Sequence, residues 1–247
     1  MNEINGMIAV WRREFIVFKR EVSRIISSIV SPLMWLLLFG GGLSKTVRIG
    51  GAHYQSFIFP GIVVMSVLFT STFYGVYIIW DRKIDVLKAV LVAPVSRLAI
   101  FFGKVLGGCT DALLQSLVLI LIGFFFVSYT PLGVLLSLCV VIITAIGFVA
   151  LGLAIGAFFE SFEGFQIVGT FVVFPLFFLS GALYPLDNAP AWLRALSHFD
   201  PVTYAVDAAR YAMLGASTFA PALDVIVLAA FAAATVVVGS VAFSRMK

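Results

Sequence analysis

The chain has 247 residues, of which 62% are hydrophobic and 11% are charged, and its mean hydropathy is +1.13. Soluble globular domains are nearer half apolar and a quarter charged. The composition therefore indicates an integral membrane protein and excludes a soluble enzyme and a nucleic-acid binder. The net charge of +4 does not restore a nucleic-acid function, because the charges form no cluster on a soluble domain. Membrane lipids, and no nucleic acid, are the partners that the composition predicts.

Residues 1–24 are rich in charge and precede the first apolar run. Trp11, Phe15 and Phe18 recur with Val22 and Ile25 at a spacing typical of one helical face, and the charges lie mostly elsewhere. A basic helix with aromatic side chains on its apolar face lies flat in the membrane interface. We therefore predict an N-terminal amphipathic interfacial helix, with an ordinary surface helix as the alternative.

Six apolar segments follow, each about 20 residues long, which is the length that crosses the hydrocarbon core. They predict an all-α integral membrane protein with a single transmembrane domain, residues 1–247. The predicted spans are 25–43, 57–79, 105–127, 132–158, 165–183 and 222–243. Six spans place both termini on one side, and twelve of the 16 Lys and Arg residues fall on that side. By the positive-inside rule, both termini are expected in the cytoplasm.

The connection between the second and third predicted spans, residues 81–97, is long and half apolar. Ile84, Leu87 and Leu91 fall on one helical face. Asp85 can pair with the lysine three residues later, and Pro94 ends the helix. The pattern predicts a short amphipathic helix on the cytoplasmic side that a partner protein can grip.

The connection between the fifth and sixth predicted spans, residues 184–220, lies on the outer side. It is mostly apolar and carries too little charge to solvate a separate domain. Non-helical backbone at membrane depth is tolerated only where protein or water covers it. We therefore predict two short re-entrant or interfacial helices, split near Asp200 and Pro201, that pack back into the bundle.

One acid stands well inside a predicted span. A charge at that depth is costly, so Asp111 is expected to face protein or water. Lys104 lies seven residues earlier on the same face and is its predicted partner. Two Gly-x3-Gly pairs, at 103 and 107 and at 152 and 156, have the spacing of close helix contacts. Packing within one subunit is the favoured interpretation of both pairs, ahead of dimerisation.

The remaining chemistry-bearing residues indicate neither a metal site nor a catalytic site. Cys109 and Cys139 sit in apolar runs and have no His or Cys partner at coordinating spacing. His53 and His198 are far apart in predicted outer loops. The sequence also has no Walker A pattern, because the residue directly before Lys45 is Ser44 and not the glycine that the pattern requires.

Three stretches of the chain resemble ABC-2 type transporter permeases. Residues 81–97 (DRKIDVLKAVLVAPVSR) are similar to the cytoplasmic stretch after the second span of that family, and residues 174–185 (FPLFFLSGALYP) to its fifth span and exit. Residues 201–210 (PVTYAVDAAR) resemble a signature in which Pro201, Tyr204 and Arg210 keep a fixed spacing. Val202 departs from the Leu, Met or Phe that is commoner there. The resemblance covers the whole chain and is nearest to the daunorubicin-resistance and nodulation-exporter types.

This resemblance implies a larger machine. Such permeases work as dimers, here a homodimer, and take their power from two copies of a cytoplasmic ATP-binding cassette ATPase. ATP and Mg would bind that partner, and this chain would hold no cofactor. The ATPase-coupling surface would comprise the N-terminal helix and Asp81, Arg82, Ile84, Asp85, Leu87, Leu91 and Pro94.

The resemblance also implies an exporter in the inner membrane. Its cargo would be hydrophobic or amphipathic, such as a drug-like, lipid-like or glycan-lipid molecule, and would move along the dimer interface through spans 1, 2 and 5. Two alternatives stay open. An ATP-independent secondary transporter or channel would usually show repeated halves or several buried polar residues. A membrane enzyme would need His, Asp or Ser clustered at one interface. A neighbouring gene encoding an ATPase would separate these alternatives.

Overall fold

The structure is a computed structural model that describes residues 3–43, 48–49, 52–85 and 95–246. Six of its helices are long and apolar enough to cross a membrane, which confirms the predicted all-α, six-span architecture. They are named spans 1 to 6 below: Val22–Gly41, Tyr54–Lys83, Arg97–Gly123, Pro131–Phe158, Phe162–Leu179 and Pro221–Ser244.

The N-terminal helix, Glu3–Arg20, is separate from span 1. The break falls at Glu21, whose backbone is not helical (φ −89°, ψ 61°). Span 1 begins as the α-helix Val22–Trp35 and continues as the π-helical turn Leu36–Gly41. The apolar stripe predicted from Trp11 to Ile25 is therefore not one continuous helical face, because the chain changes direction at Glu21. We call this position the elbow.

Span 2 also has two parts, Tyr54–Phe73 and Val76–Lys83, and its turn contains Gly75. A Cβ atom at Gly75 would lie 1.9 Å from the carbonyl oxygen of Gly152, so only glycine allows spans 2 and 4 to approach this closely. The Gly152 and Gly156 pair thus packs inside one subunit. The pair at Gly103 and Gly107 does the same, because it faces Val10 and Glu14 of the N-terminal helix.

The core lies where spans 2, 3 and 4 meet. Ile58, Phe101 and Phe148 are wholly buried there. Spans 1, 5 and 6 form the flanks and leave most of their side chains uncovered. Between spans 1 and 2 the structure describes one antiparallel pair of two-residue strands, Arg48–Ile49 and Ala52–His53.

Both chain termini lie at the same end of the bundle. The Arg97 guanidinium donates to the carbonyl oxygens of Ser244 and Met246, each at 2.6 Å. The backbone N–H of Ser96 donates to a carboxylate oxygen of Glu3 at 3.1 Å. We call this the terminal end of the bundle. The opposite end carries the 3₁₀ turn Leu186–Asn188 and two short helices, Ala191–Ser197 and Pro201–Leu214.

Candidate functional site

Four charged side chains form a buried layer near the terminal end, which we call the first charge layer. The Lys104 ammonium donates to Glu14 Oε1 at 3.0 Å and to Asp81 Oδ2 at 2.6 Å. Arg13 adds a two-pronged ion pair with Asp81, one contact of which measures 3.1 Å. This hydrogen bond raises the pKa of Arg13. Lys104 is only 1% exposed, so its charge depends on these carboxylates.

A second charge layer lies about two helical turns further into the bundle. Arg24 of span 1 donates to Asp111 Oδ2 of span 3 at 2.8 Å and lies 3.4 Å from Glu21 Oε2 at the elbow. The hydroxyl of Tyr77 hydrogen-bonds with both Arg24 and Glu21. The Arg24 guanidinium also stands 4.7 Å from the centroid of the Tyr77 ring. This layer is therefore organised around one arginine.

The predicted Lys104–Asp111 pair is wrong. Seven residues of helix separate the two side chains by roughly 10 Å along the axis, and each finds a nearer partner on another helix. Lys104 pairs with Glu14 and Asp81, while Asp111 pairs with Arg24. The expectation that Asp111 faces protein holds, since it is 3% exposed.

Tyr74 connects the two layers. Its ring is buried, its hydroxyl donates to Glu14 Oε2 at 2.9 Å, and Arg24 lies 5.9 Å from its ring centroid. Side chains from the N-terminal helix and from spans 1, 2 and 3 are thereby joined by charge-assisted hydrogen bonds. Removing a buried cation such as Lys104 would leave its carboxylates short of positive charge, which is costly. The four elements are consequently expected to move together.

Two of the predicted coupling residues are engaged inside the chain. Asp81 belongs to the first charge layer. Arg82 donates to the carbonyl oxygens of Phe159 at 3.0 Å and Ala157 at 3.4 Å. These carbonyls are left over at the end of span 4, so Arg82 acts as a C-terminal cap. Both side chains therefore make contacts within this chain, in addition to any contact with an ATPase.

Of the remaining predicted coupling residues, the structure describes two, and they directly follow span 2. Ile84 is 56% exposed, and Asp85 adopts a left-handed backbone conformation (φ 56°). Leu87, Leu91 and Pro94 lie outside the described residues. The predicted helix 81–97 overlaps the spans at both ends, because 81–83 belong to span 2 and Arg97 begins span 3. Its role in contacting an ATPase remains a prediction.

The predicted interfacial residues divide between two surfaces. Phe18 packs against the protein and is 9% exposed. Trp11 is 37% exposed, and its indole N–H donates to Thr110 Oγ1 at 2.9 Å. The ring of Phe15 lies under the Lys19 ammonium at 4.5 Å. Apolar side chains on the exposed side of the helix, including Ile4 and Ile8, suit contact with lipid.

The three signature residues stabilise the opposite end. Pro201 opens its helix directly after Asp200, whose carboxylate accepts the backbone N–H of Val202 at 2.8 Å. The hydroxyl of Tyr204 donates to the carbonyl oxygen of His198 at 2.8 Å. Each of these contacts shapes the outer segment locally.

The third signature residue reaches spans 2 and 5. Arg210 donates to the carbonyl oxygen of Gly181 at 3.1 Å and lies 4.2 Å from the ring centroid of Phe57. Burial lowers the pKa of Arg210 to about 10. Asp207, one turn earlier, accepts backbone N–H groups of Thr218 and Phe219 at 2.8–2.9 Å. Asp200 and Asp207 are therefore held mainly by backbone groups.

A cavity of about 270 Å³ lies between spans 1, 2, 3 and 5. We call it the membrane cavity. Aromatic and hydroxyl-bearing side chains form most of its walls, and among the described residues no charged side chain lines it. The lining residues include Ser28, Trp35, Phe69, Thr70, Gln115 and Phe177. The Gln115 amide donates to the carbonyl of Ser28 at 2.8 Å and accepts the hydroxyl hydrogen of Thr70. Its polar groups are thus largely satisfied within the protein, which leaves a neutral surface for a ligand.

The model of the ABC-2 type transporter family matches residues 6–214 of the chain. The chain belongs to the ABC-2 type transporter family. It is 31% identical over 217 residues to the inner membrane transport permease YadH of Escherichia coli (strain K12), covering 84% of this chain and 82% of the relative. Nodulation protein J of Rhizobium leguminosarum bv. trifolii is 30% identical over 213 residues, covering 84% and 81%.

A third relative of this ABC-2 family chain is the putative transport permease ycf38 of Cyanophora paradoxa. It is 30% identical over 214 residues, covering 84% of this chain and 74% of the relative. The matches extend across most of both chains, and the family model covers spans 1 to 5 and the helix Pro201–Leu214. The resemblance recognised in the sequence is thereby confirmed, and the chain is a multi-pass membrane transport protein.

The charge layers of this ABC-2 family chain were not predicted from its sequence. A usable signal was present on span 3, where Lys104 precedes Asp111 by seven residues. Residues at this spacing share one helical face two turns apart. Glu14 precedes Glu21 by the same interval, but the helix breaks at Glu21. The sequence alone does not state which faces meet, and that information decides the pairing.

Proposed function

We propose that the chain is the permease subunit of an ATP-binding cassette exporter of the inner membrane. A separate ATPase subunit would bind ATP and Mg and supply the energy. The observation that carries this proposal is the membrane cavity, which is bounded by spans 1, 2 and 5 in a chain of the ABC-2 family. Transport relatives with similar full-length coverage support it.

Two copies of the chain would form the working unit. Spans 1 and 5 flank the membrane cavity and leave large apolar side chains uncovered, among them Met34 and Phe171. A second copy would cover these faces and bring two membrane cavities together. The cargo would be hydrophobic or amphipathic, because aromatic side chains bind apolar groups and the hydroxyl-bearing side chains tolerate a few polar ones.

The terminal end would face the cytoplasm. Most of the basic residues of the chain fall at this end, as the positive-inside rule requires. Contact with the ATPase there would move the N-terminal helix and residues 81–97. Because the charge layers tie the N-terminal helix to spans 1, 2 and 3, the same displacement would reach the walls of the membrane cavity and alternate its access.

The decisive experiment reconstitutes the permease with an ATP-binding cassette ATPase from the same organism. We expect no ATP hydrolysis from the permease alone, and hydrolysis by the complex that rises when a hydrophobic cargo is added. A complex whose ATPase carries an inactivating Walker A substitution is the matched control. Hydrolysis by the isolated permease, or cargo movement that does not depend on ATP, would favour a different transport class.

Reporter fusions test the orientation independently. Fusions at Lys88 and Lys247 should report a cytoplasmic location, and fusions at Lys45, Thr130 and Gly215 should report the outer side. A cytoplasmic signal at Gly215 would contradict the proposed arrangement of the six spans.

A further inference from the structure

A second cavity, of about 380 Å³, opens at the elbow between the N-terminal helix and the final turns of span 2. We call it the elbow cavity. Unlike the membrane cavity, it has charged walls. The side chains that matter here are Glu21, Tyr77, Trp80 and the first-layer residues Arg13, Glu14 and Asp81.

The ion pairs around the elbow cavity do not balance. The two charge layers contain three cations, Arg13, Arg24 and Lys104. They contain four carboxylates, those of Glu14, Glu21, Asp81 and Asp111. With every group ionised, one negative charge is left over in a partly buried place, where it attracts a cation more strongly than it would in water.

The two basic side chains that follow Asp81 in sequence are engaged elsewhere. Arg82 caps span 4, and the Lys83 ammonium stands 4.0 Å from the ring centroid of Phe162. Neither adds an ion pair to the two layers among the described residues. The missing positive charge is therefore not supplied by either neighbour in span 2.

Glu21 is the acid best placed to receive a cation. Its side chain is 37% exposed, whereas those of Glu14, Asp81 and Asp111 are at most 7% exposed. Both of its side-chain hydrogen bonds go to Oε2, from Arg24 and Tyr77. Within the described part of the chain, Glu21 Oε1 has no hydrogen-bond donor.

The aromatic walls favour the same ligand. Tyr77 already holds the Arg24 guanidinium 4.7 Å from its ring centroid, so this part of the protein uses ring faces to bind cations. Trp80, one turn later, is 51% exposed and lines the cavity. A carboxylate beside a tryptophan face is a suitable site for an organic cation with an apolar body.

We propose that the elbow cavity binds the cationic head of an amphipathic molecule, with Glu21 as the counter-ion and Trp80 as the aromatic wall. The apolar body would lie toward the neutral membrane cavity, to which span 2 contributes Thr70. If the chain is an exporter, as proposed above, this molecule is its cargo. The binding of the molecule does not depend on the exporter function.

The test uses two probes of nearly the same shape and opposite charge, tetraphenylphosphonium and tetraphenylborate. Equilibrium dialysis measures their binding to the purified permease in lipid nanodiscs, against nanodiscs without protein. We expect saturable binding of tetraphenylphosphonium and none of tetraphenylborate. Equal binding of the two ions to the wild type would overturn the proposal, because the site would then not recognise positive charge.

Glu21→Gln removes the charge and keeps an oxygen for Arg24 and Tyr77. The Glu21→Gln variant should bind tetraphenylphosphonium at least tenfold more weakly than the wild type does. Glu163→Gln is the matched control, since it removes the same charge from an exposed position at the start of span 5, and its affinity should be unchanged. Unaltered binding by Glu21→Gln would refute the site.

A protein that fails to fold is recognised by its thermal midpoint in the same nanodiscs. Trp80→Leu then provides an independent variant, with an expected loss of at least threefold because its exposed ring takes no part in the charge layers. Unchanged binding of tetraphenylphosphonium by folded Trp80→Leu would contradict the proposed role of Trp80 as the aromatic wall. No ATPase is present in these assays, so a negative binding result would not contradict the exporter function. A complex that shows no ATP coupling would likewise not contradict the binding result.

Discussion

The two ends of the bundle hold buried charge in different ways. At the terminal end, carboxylates and cations from four separate elements pair with one another, as Lys104 does with Glu14 and Asp81. At the opposite end, Asp207 is satisfied by backbone N–H groups only about a dozen residues away. The first arrangement ties distant helices together, while the second shapes one local segment.

This difference indicates where movement can be transmitted. A set of buried ion pairs resists separation, because each broken pair leaves a charge in a medium that solvates it poorly. Elements joined in this way respond to a force as one body. Local capping, as at Asp200, holds the outer helix in place without connecting the spans to each other.

The largest effect is expected for Lys104→Met, which removes the central cation of the first charge layer at the terminal end. The substitution leaves the buried carboxylates of Glu14 and Asp81 with Arg13 as their remaining cation and should reduce the free energy of unfolding by about 3–5 kcal/mol. Thermal unfolding in detergent measures the loss. Lys19→Met is the control, since Lys19 is exposed and makes a cation–π contact worth about 1 kcal/mol or less. Equal midpoints for the two variants would contradict the account.

A smaller effect tests which residues form the second charge layer. In a double-mutant cycle, Arg24→Met and Asp111→Asn should show a coupling energy of at least about 1 kcal/mol, because the two side chains are in contact. Lys104→Met and Asp111→Asn should show a smaller coupling energy, because their side chains share no direct partner and are connected only through Tyr74. The opposite ranking would restore the pairing that the sequence alone predicts.

The last effect concerns the opposite end and depends on pH. Burial raises the pKa of Asp200 to about 7, above the value of about 3.9 in an unfolded chain. The folded protein therefore binds the extra proton between these pH values, and its stability falls as the pH rises from about 4 to about 7. Asp200→Asn keeps the helix cap and removes the titration.

The measurement is the difference in melting temperature between the wild type and Asp200→Asn across this pH range. We expect the wild type to lose stability relative to the variant as the pH rises. Parallel profiles would show that Asp200 does not titrate between the two values.

The sequence predicts the spans well and the interior contacts poorly. Hydropathy over about 20 residues is a local property, so the six spans follow from composition along the chain. The pairing of Arg24 with Asp111 is a property of helices that are 87 residues apart in sequence. Arg24 therefore enters the sequence reasoning only as one of the basic residues that set the orientation.

The candidate cavities show the same limit. The resemblance to the ABC-2 family implies that spans 1, 2 and 5 bound a path, and the membrane cavity lies between spans 1, 2, 3 and 5. The contribution of span 3 through Gln115 depends on which helix faces meet, and the charged cavity at the elbow forms beside the break at Glu21. Neither a propensity nor a spacing specifies the angle of that break.

The central claim is that the terminal end faces the cytoplasm and receives the ATPase. Co-purification of the ATPase tests it with one variant at each end. Leu87→Asp places a charge on the predicted coupling helix, and Phe199→Asp places one on a side chain that is 87% exposed at the opposite end. Burial of a leucine is worth roughly 1.5–3 kcal/mol, and about 1.4 kcal/mol corresponds to a factor of ten in affinity.

Both variants are first brought to equal levels in the membrane. We predict that Leu87→Asp weakens ATPase binding at least tenfold and that Phe199→Asp leaves it unchanged. If Phe199→Asp releases the ATPase and Leu87→Asp retains it, the partner binds the opposite end and the account is contradicted.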